Sequence, residues 1–97
     1  MSINRNEVRV CVIQSLHEVL REKNVEDIDD GMPPIKDLGL KSLDGIEYAC
    51  VFGEKFNCHI PLKLNPFVDD GRNRDRTVGQ IVNFMCDILE KQEAMHG

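Results

Sequence analysis

The chain has 97 residues, of which 41% are hydrophobic and 30% charged, and a formal net charge of −5. That length and mix suit one small globular domain over residues 1–97 and exclude a chain too polar to build a core. The acidic balance argues against nucleic acid as a partner. No apolar run reaches the roughly 20 residues that span a bilayer.

The first residues, Met-Ser-Ile-Asn-Arg-Asn-Glu, lack the apolar stretch of a signal peptide, so the cytoplasm is the expected compartment. From Asn4 to about Lys23 an amphipathic helix is predicted. Asn4 and Glu7 have capping-box spacing, and Val8, Cys11, Val12, Leu16, Val19 and Leu20 share one face. Val10 and Ile13 flank that stripe and suggest a broad buried face, and Asn24 is the expected stop. Residues 24–41 form a long connection that Pro33 and Pro34 keep from becoming a continuous helix. A loop of that length needs apolar anchors, for which Ile28, Met32, Ile35 and Leu38 are the candidates. Glu26, Asp27, Asp29 and Asp30 invite a calcium reading. Counted from Asp27, however, the glycine comes one position early and Leu38 stands where the closing Glu belongs.

A second long helix is expected from Ser42 to about Lys55, in a pattern carried by Leu43, Ile46, Ala49, Cys50 and Phe56. Tyr48 to Phe52 is apolar almost all round, which predicts packing on several sides. Gly45 lowers helix propensity near its start and hints at a close approach there. Between Leu62 and Arg76 the signal weakens, and a short helix around Pro66 to Asp70 is the expectation. Arg72, Arg74 and Arg76 alternate with Asn73 and Asp75, so an extended strip would present three charges on one side. The final helix is capped by Thr77 and Gln80 and carries Val78, Ile81, Val82, Met85, Ile88 and Leu89, ending between Lys91 and Ala94.

Cys11, Cys50, Cys58 and Cys86 show no C-x-x-C spacing. Three of them, Cys11, Cys50 and Cys86, fall inside apolar helical patterns, where they read as small buried hydrophobes in a reduced compartment. Cys58-His59 lacks a second ligand pair for zinc, and His17 and His96 have no evident partner.

The most informative run is Asp-Leu-Gly-Leu-Lys-Ser-Leu-Asp at residues 37–44. Ser42 stands where a helix begins, so it is either an ordinary N-cap or a point at which the helix dipole tolerates an attached anion. The run resembles the attachment motif of acyl carrier proteins, usually Asp-Leu-Gly-x-Asp-Ser-Leu, with Lys41 in place of the usual Asp. Phe56 with Ile60-Pro61 resembles that family's Phe-x-Ile-x-Ile-Pro, and Thr77-Val78-Gly79-Gln80-Ile81 resembles the start of its last helix. The likeness covers most of residues 28–90 and is most specific over 37–47.

The resemblance implies an all-α, four-helix acyl-carrier-like bundle with a long first loop and a short third helix. It implies 4′-phosphopantetheine on Ser42, donated by coenzyme A through a phosphopantetheinyl transferase. The arm would carry acyl groups as thioesters in fatty acid, polyketide or related lipid biosynthesis. Partner docking would fall to Asp44, Glu47, Leu43 and Ile46, toward the transferase and acyl-transferring or condensing enzymes. Such a protein is a carrier, a monomer and not an enzyme. Lys41 and the longer segment between Pro61 and Thr77 point to a specialised member. Two rivals stand beside this reading. One is an aminoacyl or peptidyl carrier, whose usual Gly-Gly-x-Ser is absent here; the other is an unmodified helical interaction module in which Ser42 only caps.

Overall fold

The computed structural model describes residues 3–20, 28–61, 63–69, 71–72 and 74–96, with side chains described as far as residue 93. Among them are four helices: α1 (Arg5–Leu20), α2 (Pro34–Asp37), α3 (Asp44–Phe56) and α4 (Val78–His96). Two short strands, β1 (Val68–Asp69) and β2 (Arg74–Asp75), pair antiparallel with Val68 opposite Asp75 and Asp69 opposite Arg74. The fold is the expected all-α bundle, with two corrections of detail. The short helix comes second, at Pro34–Asp37, and the segment expected to be a short third helix is a turn followed by the β1–β2 hairpin.

Helix α1 is central and packs on both α3 and α4. Its N-terminus is capped by Asn4, whose Oδ1 accepts from the N–H groups of Asn6 at 2.9 Å and Glu7 at 3.3 Å. Val8, Cys11, Val12, Ser15, Leu16, Val19 and Leu20 form its buried face, at the three- and four-residue spacing of one helix stripe. Val10 is 46% exposed, so the buried face is narrower than its flanking residues suggested. The expected continuation to Lys23 and the stop at Asn24 lie outside the described residues, as do Glu26 and Asp27.

Opposite α1, helix α3 contributes Tyr48, Ala49 and Phe52, and α4 contributes Val78, Ile81, Val82, Met85, Ile88 and Leu89. Each of the larger aliphatic or aromatic side chains stabilises the fold by about 1.5–3 kcal/mol relative to exposure. Tyr48 is fully buried, and its hydroxyl donates to the Val12 carbonyl at 3.3 Å. Burial holds that hydroxyl well above the ordinary tyrosine range, which keeps it a donor. Tyr48 also meets Phe67 with ring centroids 5.0 Å apart, so the polar-looking segment after Pro61 sends a fully buried aromatic into the core.

The long first connection is held as its apolar residues require. Leu38 and Leu40 are buried, and Ile28, Met32 and Ile35 pack against the core. Its carbonyls also serve α4: the N–H of Val78 donates to Met32 and that of Gly79 to Asp30, each at 2.9 Å. Two of the helix's orphan donors are thereby satisfied by the loop. Thr77 and Gln80 complete the N-terminus with a reciprocal capping box, Thr77 N–H to Gln80 Oε1 at 2.9 Å and Gln80 N–H to Thr77 Oγ1 at 3.3 Å.

All four cysteines are free. Cys11 is buried and Cys58 and Cys86 are half-buried, but Cys50 is exposed, against the expectation that it packs inside. Burial pushes the Cys58 thiol up to about 11.

Candidate functional site

The approach to α3 decides how Ser42 is presented. Gly39 adopts φ 72°, a left-handed value that L side chains rarely take, and this turns the chain between buried Leu38 and buried Leu40. With both leucines anchored, residues 41–43 come to the surface, and Lys41, Ser42 and Leu43 are all exposed. Three tight turns follow. Asp44 N–H donates to the Lys41 carbonyl at 3.0 Å, Gly45 N–H to Ser42 at 3.1 Å and Ile46 N–H to Leu43 at 3.2 Å.

Helix α3 therefore begins at Asp44, two residues later than the sequence suggested, with Leu43 in the cap position and no side-chain cap. Asp44 does the local work instead, its Oδ2 accepting from the Lys41 N–H at 2.8 Å. The Ser42 hydroxyl makes no hydrogen bond to any described residue, and the N–H groups of Ser42 and Leu43 have no protein acceptor among them. An exposed hydroxyl, two unengaged N–H groups and the positive end of a 13-residue helix make a setting suited to an attached anion. The Lys41 chain, exposed next to Ser42, adds positive charge to the same turn.

Around this turn the other expected docking residues separate by exposure. Leu43 is 75% and Ile46 43% exposed, two apolar side chains left out of the core at the cap and on the first turn of α3. Glu47 is exposed and already engaged within the protein, while Asp44 is half-buried and tied to Lys41. The four residues Leu43, Asp44, Ile46 and Glu47 thus stand together beside Ser42. Farther along α3, Glu54 is exposed too.

A residue the sequence did not single out also reaches the site. Asn65 donates through Nδ2 to the Ser42 carbonyl at 2.8 Å, while its Oδ1 accepts from the Phe67 N–H at 2.9 Å. Asn65-Pro66 is a turn dipeptide, and Phe67, two residues after Asn65, is the feature that marks this turn as leading into the core.

The arginines of the same segment do not form one strip. Arg76 turns inward and donates through one guanidinium nitrogen to the carbonyls of Asn65 at 2.8 Å, Val68 at 2.9 Å and Pro66 at 3.3 Å. Its guanidinium lies 4.0 Å from the centre of the Phe84 ring. Arg72 stands 3.9 Å from Asp69 across the hairpin turn, and Arg74 is exposed on β2. Arg76 answers three carbonyls of the turn at 65–68, of which only that of Asn65 also accepts from a loop N–H, that of Val68 at 3.4 Å, and this separates it from the other two arginines.

Among the described residues no group of three or more His, Cys, Asp or Glu side chains is placed to share an ion. His17 and His59 are exposed on separate elements, and the side chain of His96 lies outside the described residues. No described helix is long and apolar enough to cross a membrane.

The chain is similar to an acyl carrier protein from Wolinella succinogenes, 29% identical over 79 residues that cover 78% of this chain and 95% of that protein. No family model matches the chain, and no solved structure does. The distant likeness extends over most of the chain and supports an acyl-carrier-like relationship.

Proposed function

We propose that this protein carries acyl intermediates as thioesters on a 4′-phosphopantetheine arm attached to Ser42, in fatty acid, polyketide or related lipid biosynthesis. The observation that carries this reading is the Ser42 hydroxyl, exposed and unbonded at the entry to α3 within the motif of residues 37–44. The similarity to an acyl carrier protein along most of the chain supports it. The residues present fit the group: Ser42 supplies the oxygen, and the N–H groups of Ser42 and Leu43, Lys41 and the α3 dipole favour a negative charge there. When bound, the group supplies a flexible arm whose thiol holds acyl groups as thioesters.

On this reading the modifying enzyme supplies the base, and Ser42 supplies only the oxygen. The protein is then a substrate and shuttle, not an enzyme. Leu43 and Ile46 offer apolar contact and Asp44 and Glu47 negative charge to a phosphopantetheinyl transferase and to acyl-transferring or condensing enzymes. A monomer in the cytoplasm suits this role. The reading of Ser42 as a mere cap is weakened because α3 carries no side-chain cap.

Intact mass after incubation with coenzyme A and a broad-specificity transferase tests the proposal. One phosphopantetheinyl group should add to the wild type and none to Ser42→Ala, with helicity unchanged. A wild type that several transferases leave unmodified would remove the centre of the carrier reading.

A further inference from the structure

The carbonyl of Ser42 accepts two hydrogen bonds, one from the Gly45 N–H at 3.1 Å and one from Asn65 Nδ2 at 2.8 Å. The second crosses from the segment after Pro61 to the turn that holds the serine. Asn65 is itself fixed on its other sides. Its Oδ1 accepts from Phe67 N–H at 2.9 Å, and its carbonyl accepts from Arg76 at 2.8 Å. The Arg76 N–H in turn donates to the Phe67 carbonyl at 2.8 Å, and the Phe67 ring is fully buried against Tyr48. Core, hairpin and serine turn are thus joined through one amide side chain. The two neighbours fix its orientation, since a flipped amide would set oxygen against the Ser42 carbonyl and N–H against N–H.

Gly45 gives the second, independent observation. Its backbone is not in the left-handed region, so no conformational demand calls for glycine, and alanine is the better helix former. Yet a Cβ there would lie 2.0 Å from Asn65 Oδ1 and 2.8 Å from its Cγ. The position is kept bare so that Asn65 can reach the turn. Were Asn65 needed only to shape the Asn-Pro turn, its bond to Phe67 would suffice, and neither Gly45 nor the contact to Ser42 would be required.

We propose that Asn65 is a positioning residue for Ser42, with Gly45 as the space it occupies and Arg76 as its anchor. The segment between Pro61 and Thr77 is then a strut for the serine turn. This rests on the reading of Ser42 as an attachment point. Holding the Ser42 carbonyl fixes the backbone of the turn and with it the direction of the Cα–Cβ bond, so a modifying enzyme meets the hydroxyl at one place on the surface.

Asn65→Asp separates the two roles of the side chain. It keeps an acceptor for Phe67 N–H but sets an oxygen against the Ser42 carbonyl. Transferase kinetics are to be measured on wild type, Asn65→Asp, Gly45→Ala, Asn65→Ala and the Gly45→Ala/Asn65→Ala double variant, with amide hydrogen exchange on each. For Asn65→Asp the expected result is a kcat at least tenfold lower with KM within twofold, because Asp44 and Glu47 are untouched. The Gly45 amide should exchange at least tenfold faster while Val82 and Met85 in α4 keep their protection. Gly45→Ala should lower kcat in the wild-type background and add no loss to Asn65→Ala, where its Cβ meets no amide.

A folded Asn65→Asp with kcat within twofold of wild type would overturn the proposal, as would full additivity of Gly45→Ala and Asn65→Ala. Should Asn65→Asp fail to fold, the Gly45→Ala pair of comparisons decides alone. If even the wild type accepts no group, it is the reading of Ser42 that falls. Gly45 exchange then judges the strut separately, unchanged protection in Asn65→Asp overturning it and a tenfold loss upholding it.

Discussion

Ser15 lies on the buried face of α1 with no exposure, and its hydroxyl has only the Cys11 thiol beside it, a weak partner that leaves it short of a full hydrogen bond. A buried polar group left unmatched costs about 1–3 kcal/mol, and alanine is the better helix former. Ser15→Ala should therefore raise the unfolding free energy by about 1 kcal/mol, read from urea titrations at unchanged m-value. Thiol reactivity is set by the same local surroundings. Cys50 is exposed, whereas Cys58 is half-buried with its thiol pushed up to about 11 by burial. The thiolate is the reacting form, so at pH 8 iodoacetamide should label Cys50 first and Cys58 markedly later, as peptide mapping would reveal. Labelling of Cys58 should accelerate as the pH is raised toward 11; equal rates for the two thiols at pH 8 would contradict the structure.

At the scale of elements, the first turn of α3 shows what could be read in advance and what could not. Leu43 and Ile46 were legible as part of a helical pattern, because period alone identifies a helix. Which side of that pattern faces solvent depends on where α1 lies, and local spacing carries no such information. The start of α3 was misplaced by two residues because Ser is a common cap, while here the Asp44 carboxylate reaches back to the Lys41 N–H. That contact shapes the docking test. Reversing the charge of Asp44 would also disturb the turn, whereas Asp44→Asn keeps an acceptor and removes the charge. Asp44→Asn with Glu47→Gln should slow encounter with the transferase at low salt and flatten the salt dependence of its rate. Identical stopped-flow rates at low salt would move recognition elsewhere.

The β1–β2 hairpin was not legible at all, because two-residue strands leave no alternating pattern. Arg76 answers three carbonyls 8 to 11 residues back along the chain, an arrangement that the run of alternating arginines hid. Arg76→Lys keeps the charge but replaces a planar multi-donor head with a compact ammonium. A loss of roughly 1–3 kcal/mol is expected, in line with hydrogen bonds from charged donors. Arg74→Ser, on the exposed strand β2, should leave denaturation midpoints unchanged in the same assay.

For the whole molecule, the radius of gyration of 12.7 Å agrees with about 12.5 Å for a compact chain of this length. The all-α class was readable because three amphipathic helices repeat their apolar stripes over many turns, and their caps at Asn4 and Thr77–Gln80 lie where the sequence put them. Anchoring of the first loop by Leu38 and its apolar neighbours followed from the same physics, since a long connection needs side chains of its own to hold it. The buried ring of Phe67 was not legible, because Leu62, Leu64, Phe67 and Val68 follow neither a helical nor a strand period and stand among turn residues. On the acidic surface the net charge of −5 is consistent with partners that present basic faces. Mass spectrometry of the intact protein purified from its native host addresses the central claim most directly, because it reads whatever group the cell has placed on the chain. The account predicts one phosphopantetheinyl group, localised to Ser42 by fragmentation and bearing an acyl thioester in part of the population. An unmodified Ser42 throughout, in cells whose other carrier proteins are modified, would contradict it.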